Sequence, residues 1–261
     1  MRWLARLAGL AVPLLAAPLL AGEAAAHTGV TCRTLTFEGA GYSVCEVDPA
    51  AAELRLFLED SEGRVWGSFQ RLAAGLAPRH LVFAMNAGMY HPDRSPVGHY
   101  VEDGTERMRV IASAGPGNFG MLPNGVFCAE PGRARVLETD AYLAEAPACR
   151  HATQSGPMLV IDGEIHPRFI PGSSSRFLRN GVGTSVEGDR AVFAISDEPV
   201  SFHDFARLFR DRLGLPHALY FDGKVSRLWA PELGRADTGF PLGPIVGVVA
   251  GPKIDDGPAL R

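Results

Sequence analysis

The chain has 261 residues, enough for one large domain or two small ones with an ample core. Hydrophobic residues make up 46% of it and charged residues 21%, a globular composition that excludes a disordered chain. The net charge of −4 gives no electrostatic basis for binding a polyanion, so we expect no nucleic-acid partner.

The N-terminus is typical of a secretory signal. Two arginines, Arg2 and Arg6, precede an apolar stretch over residues 7–20, and Ala24-Ala25-Ala26 follows as a cleavage pattern. This stretch is shorter than the roughly 20 residues of a membrane-spanning helix. We therefore predict a signal peptide over residues 1–26 and a secreted or periplasmic domain over residues 27–261, with no membrane span in the mature chain. An uncleaved anchor is the alternative.

Short apolar runs separated by glycine and proline predict strands along most of the mature chain. The predicted strands, in chain order, are Leu54–Leu58, Leu81–Met85, Val97–Val101, Met158–Ile161, Gly181–Val186, Ala191–Ser196, Leu219–Phe221 and Ile245–Val249. Asp162-Gly163 predicts a tight hairpin turn after the fourth strand, and a second hairpin is expected around Gly188.

Helices are fewer. They are expected over about residues 65–74, around Tyr142, and over residues 202–213, where Ser201 and Asp204 have the spacing of a capping box. Together the elements predict a single α+β domain with a mixed, twisted β-sheet core and a few packed helices.

Four cysteines occur: Cys32, Cys45, Cys128 and Cys149. None forms a C-x-x-C pair, and an even number in an exported chain indicates disulfides. Proximity along the chain favours the pairs Cys32–Cys45 and Cys128–Cys149, and the other two connectivities stay open.

Four junctions join an apolar run to glycine and polar side chains, a pattern that places polar groups at strand ends. They are Asn86-Ala87-Gly88-Met89-Tyr90, Gln154-Ser155-Gly156-Pro157, Arg179-Asn180-Gly181-Val182-Gly183 and Leu219-Tyr220-Phe221-Asp222-Gly223. Together they supply a carboxylate, a guanidinium, amides and a hydroxyl. This chemistry suits a charged, hydroxylated substrate such as a sugar phosphate or a glycan.

The first catalytic candidate is Asp222, because a carboxylate at the end of a buried strand can serve as a base or nucleophile. A simple Asp-Gly turn is the competing interpretation. Asp197 also ends an apolar run and could form an acid/base pair with it, as glycoside hydrolysis requires. His203, in the first turn of the third helix, is a candidate proton carrier.

The predicted substrate contacts surround these groups. Arg179 could hold a phosphate, Asn86 a sugar hydroxyl or phosphate oxygen, and Ser155 an anion. We also expect contacts from Gly88, Gly156, Asn180, Gly223 and Ser226.

At these residues the chain resembles the phosphodiester glycosidase family, most of all its bacterial secreted branch. The resemblance runs from about Phe83 to Val249. It is carried, in order, by Phe83–Met89, Gly117-Asn118-Phe119 with Pro123–Phe127, Gln154–Pro157, Arg179–Gly183, and Ala218–Gly223 with Ser226.

The resemblance implies hydrolysis of a sugar-1-phosphodiester, similar to an N-acetylglucosamine-1-phosphodiester, between the anomeric carbon and the phosphate oxygen. Arg179 would then stabilise the leaving phosphate, and Asp222 would act as base or nucleophile with Asp197 or His203 as its partner. Two segments depart from the eukaryotic pattern. Asn86-Ala87-Gly88 replaces Asn-Gly-Gly, and Asp222-Gly223-Lys224-Val225-Ser226 replaces Asp-Gly-Gly-Gly-Ser. The resemblance therefore leaves the identity of the sugar open.

Two other function classes compete with the glycosidase. One is a non-catalytic sugar-phosphate-binding module that uses Arg179 and Asn86 but needs no acid/base pair. The other is a metal-dependent phosphodiesterase in which Asp197, Asp222 and Asn86 hold a divalent cation. The glycosidase hypothesis requires no metal and no cofactor.

Overall fold

The computed structural model describes residues 29–223 and 225–251. The signal segment over residues 1–26 lies outside them. Seventeen strands lie within these ranges: β1 (Val30–Phe37), β2 (Ala40–Val47), β3 (Leu54–Phe57), β4 (His80–Asn86), β5 (Tyr100–Glu102), β6 (Thr105–Met108), β7 (Gly125–Glu130), β8 (Arg133–Glu138), β9 (His151–Ser155), β10 (Met158–Ile161), β11 (Glu164–Ile165), β12 (Asn180–Thr184), β13 (Ala191–Ser196), β14 (His217–Tyr220), β15 (Leu228–Ala230), β16 (Arg235–Ala236) and β17 (Ile245–Ala250). The α-helices are α1 (Phe69–Gly75), α2 (Thr139–Glu145) and α3 (Phe202–Arg207).

The strands form three sheets. The first has the order β1-β2-β13-β12-β14-β10-β11, the second β16-β15-β4-β17-β3, and the third β6-β5-β9-β7-β8. The α+β class is confirmed. The sequence predicts a mixed sheet, whereas every strand pair among the described residues is antiparallel.

The three sheets meet at a buried aromatic centre. Phe193 of the first sheet lies 4.9 Å from Phe83 of the second and 5.6 Å from Phe127 of the third, measured between ring centroids. All three rings are fully buried. Tilted and edge-on aromatic pairs at this spacing add to the free energy of apolar burial. The sheets therefore share one core that fixes their strand ends relative to one another.

The helices begin where side chains cap them. In α3 the Ser201 hydroxyl accepts from the Asp204 backbone N–H and the Asp204 carboxylate accepts from Ser201, so the predicted capping box is confirmed. The chain continues after α3 as a π-helical turn over Leu208–Arg212. The predicted helix over residues 65–74 is wrong at its start, because Ser68 caps α1 and the helix begins at Phe69.

Several strand predictions hold and one is partly wrong. The Asp162-Gly163 hairpin is confirmed, since both residues have positive φ and β10 pairs with β11. The hairpin around Gly188 and the short helix around Tyr142 are also confirmed. The strand predicted over residues 97–101 begins only at Tyr100, because the His99 backbone N–H donates to the side chain of Gln154.

Both favoured disulfide pairs are confirmed. Cys32 and Cys45 face each other across the β1–β2 pair, and Cys128 of β7 bonds to Cys149 just before β9. Within the described residues no helix is long and apolar enough to cross a membrane.

Burial of His151 predicts a loss of stability in acid. The imidazole is 1% exposed, and burial lowers the pKa of His151 to about 4, whereas an unfolded histidine titrates near 6.5. Between pH 6.5 and 4 the unfolded state therefore binds the extra proton, and the free energy of unfolding falls by up to about 1.4 kcal/mol per pH unit. Urea unfolding of the wild type and His151→Gln at pH 7 and 4.5 should show a smaller acid loss in the variant. The exposed His80 supplies the control His80→Gln, and equal acid losses in all three proteins would contradict the prediction.

Candidate active site

The ends of three strands from two sheets converge on one point. Asn86 is the last residue of β4, Asn180 is the first of β12, and Asp222 lies two residues beyond the end of β14 at Tyr220. Strands β12 and β14 are neighbours, with Gly181 opposite Tyr220. The structure therefore brings Asn86, Asn180 and the Asp222 backbone, which belong to three of the four polar junctions, to one place.

Two buried amides join the sheets at this point. The Asn86 Nδ2 donates to Asn180 Oδ1 at 3.3 Å, and the Asn180 Nδ2 donates to Asn86 Oδ1 at 3.1 Å and to the Asn86 carbonyl at 3.0 Å. Neither side chain has exposed surface. We call this reciprocal contact the amide pair. Because buried amides are costly to leave unpaired, the amide pair fixes β4 and β12 to each other.

The amide pair also holds the loop that carries Asp222. Asn180 Oδ1 accepts from the Asp222 backbone N–H at 3.2 Å, and Asn86 Oδ1 accepts from the Arg227 N–H at 2.9 Å. The Ser226 hydroxyl donates to the Asp222 carbonyl at 2.7 Å and lies 3.2 Å from Asn180 Oδ1. The loop is thus anchored at both ends, which positions the Asp222 backbone.

Ser155 supports the same strand end from behind. Its hydroxyl is buried and donates to the Phe221 carbonyl at 2.7 Å. The next residue, Gly156, has no room for a side chain, since a Cβ there would lie 2.8 Å from the Asn124 Cβ. Ser155 therefore positions Phe221 and the Asp222 that follows it, whereas Gly156 packs against Asn124 and Phe119.

Two other predicted contacts are glycines at close approaches. A Cβ at Gly88 would overlap the Gln154 carbonyl, and a Cβ at Gly223 would overlap the Tyr220 hydroxyl. Gly88 packs behind the site, whereas Gly223 lines the cleft described next. A larger residue at position 88 would displace the backbone of β9 at Gln154, whereas one at position 223 would displace the Tyr220 hydroxyl.

A cleft with two lobes lies in front of these residues. The first, which we call the arginine lobe, has a volume of about 480 Å³ and is lined by Arg179, Asp222, Gly223 and Asn118 and by the rings of Tyr90, Phe119, Phe177, Phe202 and Tyr220. The second, the outer lobe, has a volume of about 710 Å³ and is lined by Tyr90, His91, Pro92, Arg94, Asp222, Val225, Phe240 and Pro241. Asp222 and Tyr90 line both lobes, so they lie at the junction.

Arg179 places a buried positive charge in the arginine lobe. The residue is 1% exposed, its Nε donates to the Val200 carbonyl at 2.8 Å, and its Nη2 donates to the Ser175 carbonyl at 3.1 Å. Its Cζ lies 3.5 Å from the centre of the Phe202 ring. Burial lowers the pKa of Arg179, but a guanidinium stays charged at neutral pH. Among the described residues no carboxylate forms an ion pair with it, and its contact with the Tyr220 phenol and the more distant Asp204 carboxylate act to raise its pKa.

Two phenols lie near Asp222. Burial raises the pKa of Tyr220. The Asp222 carboxylate raises this pKa further, and the Arg179 guanidinium partly offsets the rise. Burial and the Asp222 carboxylate also raise the pKa of Tyr90. Both phenols are therefore neutral hydrogen-bond donors at pH 7. The sequence prediction did not assign them to the site, although Tyr220 precedes Asp222 by two residues, the spacing that places side chains on one face of a strand.

Asp197 and His203 lie elsewhere. The Asp197 Oδ1 accepts from the Ser43 hydroxyl at 3.2 Å and from Arg235 at 3.1 Å. His203 Nδ1 lies 3.9 Å from the carboxylate of its neighbour Asp204. Neither residue lines either lobe. The structure does not bring them into the cleft with Asp222, and catalytic roles for them stay predictions that these contacts do not support.

The predicted cation ligands are also separated. Asp197 is outside the cleft, and both acceptor and donor atoms of the Asn86 side chain are engaged by Asn180 and Arg227. Over residues 29–223 and 225–251, no group of three or more His, Cys, Asp or Glu side chains has the arrangement of a metal site. Lys224 lies outside the described residues.

Comparison with known proteins identifies the family. Residues 79–239 match the phosphodiester glycosidase family, and the chain belongs to that family. It is 34% identical over 184 residues to the uncharacterized protein YigE of Escherichia coli K12. The matched segment covers 70% of this chain and 72% of YigE.

Two solved structures share the fold. One is the catalytic domain of zebrafish N-acetylglucosamine-1-phosphodiester alpha-N-acetylglucosaminidase, auto-inhibited by its pro-peptide. It has a TM-score of 0.55 and 15% identity, and the match covers 84% of this chain and 81% of that one. The other is a putative exported protein from Burkholderia pseudomallei, with a TM-score of 0.53 and 13% identity over 80% of this chain and 74% of that one.

Loss of the amide pair should destabilise the protein. Asn180→Ala leaves the Asn86 amide and the Asp222 N–H buried without their partner, which should lower the free energy of unfolding by about 2–4 kcal/mol. Urea unfolding at pH 7 measures this loss. The half-exposed Asn118 provides the matched control Asn118→Ala, with an expected loss below about 1 kcal/mol. Equal losses in the two variants would contradict the structural role of the pair.

Proposed function

We propose that the protein is a hydrolase that cleaves the glycosyl–phosphate bond of a sugar-1-phosphodiester in this cleft. One observation carries the proposal: a buried guanidinium without a described carboxylate partner lines the same lobe as the Asp222 carboxylate. A phosphodiester is a monoanion whose oxygens match the guanidinium fork of Arg179. A carboxylate next to that anion has no use in binding it, but it can attack or activate water at the neighbouring anomeric carbon.

The two lobes suggest how the substrate lies. The bond that breaks joins the sugar to the phosphate, so the two halves of the substrate extend to opposite sides of Asp222. With the phosphate on Arg179 in the arginine lobe, the sugar occupies the outer lobe against the Tyr90 ring. Sugars commonly use such aromatic faces for their apolar C–H surface.

A single carboxylate suits this reaction. Most glycosidases need a second carboxylic acid to protonate a poor alcohol leaving group. A phosphate monoester is a stable leaving group, and Arg179 can stabilise the charge it gains when the C–O electron pair moves to the phosphate oxygen. Asp222 acts as nucleophile or as base for water at the anomeric carbon, and the hydroxyl of water ends on the sugar. The neutral phenol of Tyr220 is a candidate hydrogen-bond donor to the phosphate, whereas the Tyr90 hydroxyl donates to the Pro241 carbonyl.

Substrate and location follow from the same reasoning. The zebrafish relative is named for N-acetylglucosamine-1-phosphodiesters, so these are the first substrates to assay. We propose an exported protein, secreted or periplasmic, because its two disulfides form and persist in oxidising compartments.

A binding module is the second candidate. It is favoured by the fact that Asp222 is the only carboxylate among the described residues that line either lobe. Such a module would bind sugar phosphates through Arg179 without turning them over. The metal-dependent phosphodiesterase is a third reaction class, which a chelator tests directly.

Turnover and its dependence on Asp222 test the proposal. The purified mature protein should release free sugar from N-acetylglucosamine-1-phosphodiesters, and Asp222→Asn should lower kcat about a thousandfold because the base or nucleophile is lost. The exposed Asp140 offers the matched control Asp140→Asn, which should retain wild-type turnover. Each protein is assayed with and without chelator.

The outcomes separate the three candidates. Sugar release that survives in Asp222→Asn would overturn the catalytic assignment. Measurable sugar-phosphate binding without release would favour the binding module. Loss of release with chelator would favour the metal-dependent enzyme.

A further inference from the structure

The outer lobe contains a cation of its own. Arg94 is half-buried there, with its Cζ 5.5 Å from the centre of the Tyr90 ring. Among the described residues no carboxylate forms an ion pair with it. Twelve of the 20 arginines in the described part of the chain form an ion pair with a carboxylate, as Arg55 does with Asp103 at 2.9 Å, and Arg94 is one of the eight that do not. The Arg94 charge therefore has no described counter-ion of the kind that neutralises Arg55.

The turn that carries Arg94 also engages the carboxylate of its sequence neighbour, Asp93. The Arg94 N–H donates to the His91 carbonyl and the His91 N–H to the Ser95 carbonyl, both at 2.8 Å. Asp93 Oδ1 accepts from the Ser95 hydroxyl at 2.6 Å and from its N–H at 3.0 Å. Because Asp93 is committed to Ser95, it does not neutralise the guanidinium.

A second cation supports the opposite wall. Arg227 is 8% exposed, and its Nη1 donates to the Phe240 carbonyl at 2.6 Å. The Tyr90 hydroxyl donates to the Pro241 carbonyl at 3.2 Å, so the two walls are tied together. The Phe240 side chain itself is 79% exposed at the rim of the lobe. The outer lobe is thus an open depression in which Tyr90 is held against the Pro241 segment.

The charged groups around Tyr90 indicate which ligand charge the outer lobe favours. Although burial and Asp222 raise the pKa of Tyr90, both Arg94 and Arg227 act to lower it, so both cations lie near this ring. Asp222 is the one described carboxylate that lines the lobe, and the proposed reaction occupies it at the junction. The outer part of the lobe therefore has a positive charge to offer a ligand.

We propose that Arg94 is a specificity-determining residue that binds a carboxylate on the sugar, so that the protein acts on phosphodiesters of a uronic-acid-type sugar. This inference rests on the proposed function, which places the sugar in the outer lobe. A planar carboxylate at C6 of the sugar can accept two parallel hydrogen bonds from the guanidinium. A neutral hydroxymethyl group at the same carbon leaves the Arg94 charge without a counter-ion.

Three matched substrates test the assignment. They are the methyl phosphodiester of N-acetylglucosamine, the same compound with its C6 oxidised to a carboxylate, and an N-acetylglucosamine phosphodiester whose aglycone carries the carboxylate instead. The wild type should prefer the C6 carboxylate over the neutral sugar by about tenfold or more in kcat/KM, and should show no preference for the carboxylate on the aglycone. Arg94→Gln should reduce the ratio to about one. The exposed Arg212 gives the matched control Arg212→Gln, which should keep the wild-type ratio.

Each remaining outcome overturns the inference or supports it. Equal kcat/KM values in the wild type, or a preference that persists in Arg94→Gln, would overturn it. A preference only for the carboxylate on the aglycone would place the anion on the wrong half of the substrate and overturn it too. If none of the diesters is hydrolysed, the proposed function fails, and calorimetric titration of the same compounds decides about Arg94. Tighter binding of the C6 carboxylate that is lost in Arg94→Gln supports the assignment, and equal binding overturns it.

Discussion

The reciprocal contact between Asn86 and Asn180 is the interaction on which the candidate site depends. It joins the end of β4 in one sheet to the start of β12 in another, and its two amide oxygens accept from the backbone of Asp222 and Arg227. The shared aromatic core brings the sheets together, and the amide pair joins the polar ends of β4 and β12 directly. Asp222 is thus presented by a loop whose position is determined by two different sheets.

The polar residues of the site divide into a supporting layer and a contact layer. Asn86, Asn180 and Ser155 are fully buried and bond to backbone or to each other. Arg179 and Asp222 line the cleft in front of them. A supporting layer of this kind pre-orients the reacting groups, so little reorganisation is needed when charge develops on a leaving phosphate. This division explains why amides and a hydroxyl that suggest ligand contacts in the sequence instead bond within the protein.

Local patterns in the sequence predict part of this structure correctly. The Ser201 capping box, the Asp162-Gly163 turn and the disulfide pairs depend on neighbouring residues, and all of them are confirmed. Strand β9 could not be predicted, because four of its five residues, all but Ala152, are polar yet buried, and its partner strands β5 and β7 are distant in sequence. The position of Asp197 outside the cleft could not be predicted either, because it depends on a hydrogen bond from Arg235, which is 38 residues away. Side-chain partners distant in sequence decide which strand-end residues face the cleft, and a local pattern does not contain them.

The most direct test of the account is a crystal structure of Asp222→Asn with an intact N-acetylglucosamine-1-phosphodiester. We expect phosphate oxygens about 3 Å from the Arg179 guanidinium and the anomeric carbon about 3.5 Å from the side chain of residue 222, with the sugar in the outer lobe. A phosphate bound at Arg94, with the sugar against Phe202 in the arginine lobe, would contradict the orientation. A substrate bound away from residue 222 altogether would contradict the central claim that Asp222 and Arg179 act on one bond.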